Sequence, residues 1–259
     1  IVEQLSELTK KWFSEGDPFV EIGTGETAAA HNYLIDRLLE ERQITVWYGE
    51  GGSLKSYLAL AAGLSVQGGY DYLGLDMRVG NVLYLDYETD AEEMNDRMRR
   101  MVRGFGMAEL DYPLIQYRRQ TLPIASDVAR LRRYIAQHDI RLVIVDSLGM
   151  ACGGEPESAE VTLRMYGALR MLGCTVLGIH HVAKTQIEVK GKRSPFGSIF
   201  HVNLPRATWE VRAAPETESD TVEVAMYQRK SNNGRLKRPL GFAVTFEGDK
   251  TVIERSEIS

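Results

Sequence analysis

The stretch VWYGEGGSLKS, residues 46–56, decides the fold. An apolar strand stops at Gly49, Gly51 and Gly52 come next, and Lys55-Ser56 opens a run, YLALAAGLSV, that reads as a helix. Glycines there let the backbone turn tightly, so successive N–H groups converge at the helix N-terminus, where peptide dipoles favour an anion. Lys55 adds a point charge for the outer phosphates and Ser56 a hydroxyl for magnesium, at the spacing of a phosphate-binding loop. Leu54 departs from that pattern. Its Cβ restricts the local backbone, although its N–H can still donate. By itself the stretch is either a nucleotide cradle built from Gly49, Gly51, Gly52, Ser53, Leu54, Lys55, Ser56 and Tyr57, or a Gly-rich turn.

Working outward, the chain alternates helix and strand. A helix is expected at about 30–42, then strands at 44–48, 81–88, 113–118, 141–146 and 174–180. Helices are expected at 56–66, 91–104, 126–138 and 158–172. Apolar strands separated by helices of this length predict a mostly parallel, twisted α/β sheet covered on both faces. After Pro205 four short alternating strands, at 207–212, 221–227, 241–246 and 251–255, predict antiparallel hairpins extending one edge. Residues 1–27 form a separate arm. Val2, Leu5, Leu8 and Trp12 fall at helical spacing ahead of a loose linker, and so short a helix must dock on its own domain, 28–259, or on a neighbouring subunit.

Composition narrows the function classes. The chain has 259 residues, 44% of them hydrophobic, enough for one sizeable core. No apolar run approaches the roughly 18 residues of a membrane span, so no membrane partner is expected. Cys152 and Cys174 are too few for a disulfide framework and stand in no metal-ligand spacing, which fits a reducing cytoplasm. With 31 basic against 36 acidic residues, any nucleic-acid contact must come from a local cluster.

Ligands of open parallel sheets bind at the C-terminal ends of the strands, and those ends carry chemistry here. The strand 141–145 ends in Asp146-Ser147, a carboxylate suited to ordering magnesium and its waters, or to capping a helix. Beyond 81–85 stands Glu88, a base for an attacking water or a group that holds it in line. The strand 174–180 runs into His180-His181, where a neutral imidazole can sense a γ-phosphate; metal ligation is disfavoured because neighbours on a strand point to opposite sides.

Together GEGGSLKS, NVLYLDYET, RLVIVDSLGMA and TVLGIHHVAK, in this order, resemble the RecA-like ATPase core, closest to the hexameric replicative helicases of the plasmid RepA type. The resemblance covers about residues 28–255. It implies ATP and magnesium as cofactors, a Walker A loop over 49–56, a catalytic Glu88, a Walker B Asp146 and a γ-phosphate sensor at His181. It further implies a homo-oligomeric ring, a hexamer in that family, with Arg229 and Lys230 on a hairpin tip reaching a neighbour's nucleotide and Arg206 as a second source. The segment 183–200, with Lys184, Lys190, Lys192 and Arg193, corresponds to the loop that grips single-stranded DNA. The loop 149–158 lacks cations and is a weaker second channel loop. Two other roles stay open: a recombination or annealing ATPase, and a nucleotide-switched assembly protein with slow turnover.

Overall fold

The computed structural model describes residues 32–71, 73–107, 114–182, 194–215 and 219–258. The expected N-terminal arm and the cations at 184, 190, 192 and 193 lie outside these residues. The elements are β1 (Tyr33–Ile35), β2 (Leu39–Glu40), β3 (Ile44–Gly49), α1 (Lys55–Gly68), β4 (Asn81–Asp86), α2 (Ala91–Gly104), β5 (Gln116–Arg119), α3 (Ile124–Gln137) and β6 (Ile140–Asp146). Next in the chain are α4 (Leu148–Ala151), α5 (Ala159–Met171), β7 (Thr175–His181), α6 (Phe200–Asn203), β8 (Ala207–Ala213), β9 (Thr221–Ser231), β10 (Leu240–Glu247) and β11 (Lys250–Ser256).

Nine strands form one sheet in the order β11-β10-β9-β8-β3-β7-β6-β4-β5. Pairing is parallel from β5 through β8 and antiparallel from β8 to β11. The first late strand therefore joins β3 in parallel, and hairpins extend the edge only beyond it. Side chains alternate between two apolar layers. Trp47, Leu142 and Ile144 pack with α1 and α2, whereas Val46, Tyr48, Val143 and Val145 pack with α3, α4 and α5. Helices on both faces bury the central strands completely.

The helix expected at 30–42 is instead a small antiparallel hairpin, β1 with β2, turned through Arg37 at φ 65°. Leu34, Ile35, Leu38 and Leu39 are all buried in the layer that contains α1. Their spacing suits a helix, but β1 hydrogen-bonds to the segment before β4: Asp36 N–H donates to the Asp76 carbonyl at 2.8 Å and Arg78 N–H to Leu34 at 2.9 Å. Tertiary pairing overrode the local period.

Helix α2 begins at Asp90, whose carboxylate accepts from the Glu92 and Glu93 amides at 2.9 and 3.0 Å. Removing that cap in Asp90→Ala is expected to lower stability by about 1 kcal/mol, read as a shift of the urea midpoint at unchanged slope.

Candidate nucleotide site

The phosphate-binding loop begins where β3 ends. Gly49 stands opposite His181 in the parallel register with β7. A Cβ at Gly49 would lie 2.2 Å from the Val211 carbonyl oxygen, so only glycine admits β8 this close. Gly51 and Gly52 form the exposed tip, and Ser53 is buried behind them. Leu54 holds φ 61° and ψ 21°, the left-handed conformation a glycine takes without strain. In a leucine it costs about 1–2 kcal/mol, which the packing of the side chain on the core layer offsets. Leu54 thus follows the path a glycine would give the loop.

Lys55 opens α1 and is 4% exposed. Its ammonium donates to the Gly49 carbonyl at 3.2 Å, the Glu50 carbonyl at 2.6 Å and Ser53 Oγ at 3.1 Å. Burial lowers its pKa to about 8, against the opposing pull of Asp146, Glu88 and Glu50. A cation held on carbonyl dipoles in a dry cleft is poised to exchange them for phosphate oxygens.

Asp146 ends β6 opposite Asp86 of β4. Its Oδ2 accepts from the Tyr84 hydroxyl at 2.8 Å, while Oδ1 is buried with no hydrogen-bond partner among the described residues. Burial raises the Asp146 pKa, opposed first by the Ser56 hydroxyl and then by Tyr84. A free, buried carboxylate oxygen close to a serine hydroxyl suits a hard divalent cation, so Ser56 and Asp146 fit magnesium. Among the described residues no group of three or more His, Cys, Asp or Glu could hold a metal by itself, so phosphate and water oxygens must complete the shell. Bound there, magnesium would neutralise charge on the outer phosphates.

Glu88 is aimed by its neighbour two residues back. Asp86, 1% exposed, accepts from the Glu88 and Thr89 amides at 2.9 and 3.0 Å, from Thr89 Oγ1 at 2.5 Å and from the Tyr117 hydroxyl at 3.2 Å. This buckle fixes the turn after β4, and Glu88 then meets His181 across the mouth, Oε1 to Nε2 at 3.2 Å. The His181 bond holds the Glu88 carboxyl down at about 2, with burial opposing it and Ser147 and Lys55 assisting. An anion so well satisfied is a weak base; it suits a group that orients water, or one that acts as a base once His181 turns away.

The structure thus gathers Lys55, Ser56, Asp146, Glu88 and His181 at one mouth. Tyr57 points elsewhere, edge-on to Phe246 at 5.2 Å between centroids and beneath the Arg97 guanidinium. Arg229 and Lys230 lie within β9 and not at a hairpin tip. Arg229 pairs with the fully buried Glu210, Nη2 to Oε2 at 2.6 Å, and lies over the Tyr227 ring. Lys230 donates to the Asn203 and Pro205 carbonyls, both at 2.6 Å. Sequence reasoning missed Asp86, Tyr84 and Tyr117. An aspartate three residues before a threonine at a strand end is a readable turn signal, but the two tyrosines act across strands and leave none.

Fold and mouth together define a RecA-like P-loop ATPase. The chain belongs to the AAA_25 family of AAA domains, whose model matches residues 17–186. No curated protein sequence matches it. Among solved structures it is similar to a KaiC-like protein from the hyperthermophilic archaeon Pyrococcus horikoshii OT3, with TM-score 0.59 and 15% identity over 86% of this chain and 94% of that one. At that identity the likeness speaks for the fold. No helix among the described residues is long and apolar enough to cross a membrane.

Because Leu54 already follows a glycine's path, Leu54→Gly is expected to change the Kd for ATP by less than about threefold in a fluorescence titration. Lys55 titrates in the free protein near pH 8, below the ordinary lysine value, so it carries its charge only under that pH. Above it, binding must first take up a proton. ATP affinity is therefore expected to be flat up to about pH 8 and to fall by close to tenfold per unit beyond, until the pKa of the bound state is reached.

Proposed function

We propose that this chain is an ATP-hydrolysing motor of the RepA-like helicase kind, assembled as a homo-oligomeric ring, a hexamer by analogy with that family, and driven along single-stranded DNA. The observation that carries the reading is the Glu88–His181 contact at 3.2 Å. It joins the group that would handle water to the end of β7, and in sequence β7 is followed by the segment whose Lys184, Lys190, Lys192 and Arg193 would supply phosphate-binding charge. Loss of the γ-phosphate would change the partner of His181 and so shift the basic segment that continues from β7.

In a ring, a neighbour would complete the site with a cation that stabilises transition-state charge. Lys230 and Arg206 suit that role better than Arg229, whose charge is already satisfied by Glu210. The Lys230 pKa is lowered by burial and then by Arg206 and Arg170, so these cations gather on one face. A second reading, a nucleotide-switched assembly protein with slow turnover, draws support from the low basicity of Glu88.

The ATPase rate with and without a single-stranded oligonucleotide at low salt separates the two. The motor reading expects stimulation of about tenfold or more, falling as salt rises. Absent stimulation and absent DNA binding would overturn it, and measurable ATP binding with negligible turnover would favour the switch.

A further inference from the structure

Two segments leave the mouth, one after Asp146 and one after His181, and they meet again in the interior at a pair of imidazoles. His180, 1% exposed, points inward where His181 points to the mouth. His180 Nδ1 accepts from the His181 amide at 3.0 Å, which leaves the proton of the neutral ring on Nε2. His201 of α6 is fully buried, its ring 4.3 Å from that of His180 between centroids and inclined at 62°. The Tyr166 hydroxyl of α5 stands 3.4 Å from His201 Nδ1. Neither Nε2 atom has a hydrogen-bond partner among the described residues.

The backbone around these rings is knitted together. Phe196 N–H donates to the His181 carbonyl at 2.7 Å, and Ser198 N–H to the Pro156 carbonyl at 2.9 Å. Thr162 Oγ1 donates to the same Pro156 carbonyl at 3.2 Å. Gly197 has φ 96°, and a Cβ there would lie 2.6 Å from the Pro156 oxygen, so the two segments touch with no room between them. Burial drives both rings neutral, against the smaller opposing pull of the Phe196 backbone on His180 and of the Pro156 backbone on His201. Two apolar rings would fill this space without leaving buried ring nitrogens unpaired. What the imidazoles add is the bond to the His181 amide and a polar face toward both segments.

We propose that His180 and His201 form a joint that locks segments 147–158 and 194–199 to each other and to the His181 backbone, so that a displacement of His181 moves both segments as one. They act through His181 and are positioning residues. In its consequence for turnover the proposal rests on the ATPase reading above; the joint itself does not.

Its test uses the full chain and four variants. His180→Phe keeps a ring but loses the acceptor for the His181 amide, whereas His180→Asn restores an acceptor close to the place of Nδ1. His201→Phe and Tyr166→Phe approach the joint from the other side. Amide hydrogen exchange is expected to rise by about tenfold in step at 150–158 and 194–199 in His180→Phe and His201→Phe, with β3 and β6 unchanged and His180→Asn near wild type. In the same proteins kcat for ATP is expected to fall by about tenfold while KM stays within about twofold. Exchange that rises in only one segment or in neither would overturn the joint, as would His180→Asn behaving like His180→Phe. Should His180→Phe not fold, His201→Phe and Tyr166→Phe decide by the same exchange pattern. A wild-type chain without turnover would sink the ATPase reading and leave the exchange arm to judge the joint.

Discussion

The parallel register of β3, β7, β6 and β4 is the constraint on which the rest depends. It sets Gly49 level with His181, and Asp86 level with Asp146. A slip of one residue in any of these strands would turn its side chains to the opposite face and carry the functional residue at its end into an apolar layer. The buried alternation of Trp47 with Val46 and Tyr48, and of Ile144 with Val143 and Val145, resists such a slip. The chemistry at the mouth is thus held in place by apolar packing one layer below it.

That arrangement crowds Asp86 and Glu88 around Asp146, with the buried Lys55 ammonium beside Asp146 and Glu88, and each carboxylate is accommodated differently. Asp86 is satisfied by four donors of its own turn and of Tyr117, and is structural. Glu88 is held by the His181 ring at 3.2 Å in the half-open mouth. Asp146 has one buried oxygen without a hydrogen-bond partner among the described residues, and burial pushes its proton affinity up. A cation arriving beside Ser56 relieves a desolvation that the protein alone leaves uncompensated. The same holds in reverse for Lys55, whose charge rests on backbone carbonyls that a phosphate would replace.

The edge strands carry a second group of charges, and their burial separates structural from available cations. Glu210 is fully buried on β8 and takes both Arg212, at 2.6 Å, and Arg229. Removing both arginines would leave the buried Glu210 charge uncompensated, at a cost of about 3–5 kcal/mol, and removing Arg229 alone leaves it only Arg212. Arg229 is therefore bound into the β8–β9 pairing by energetics. Lys230, one residue on across a bulge, pairs with Thr208 and rests on two carbonyl oxygens, where release is far cheaper.

Much of this was legible in the sequence because it is local. The loop 46–56, the apolar strands and the polar residues that end them follow from glycine conformation, burial on two faces and the rule that ligands gather at strand ends; these gave the α/β sheet and the candidates Lys55, Ser56, Asp146, Glu88 and the pair His180-His181, between which the RecA-like resemblance chose His181. Where two local readings compete, the sequence cannot choose. The spacing of Leu34, Ile35, Leu38 and Leu39 suits a helix, and only pairing with residues 76–78 made it a hairpin. Nor does the sequence carry contacts between residues far apart in it. The Tyr84–Asp146 bond, the engagement of Arg229 by Glu210 and the His180–His201 pair join residues 62, 19 and 21 positions apart. Such pairs exist only once the sheet has closed, because burial, and not spacing along the chain, determines which polar groups must find one another.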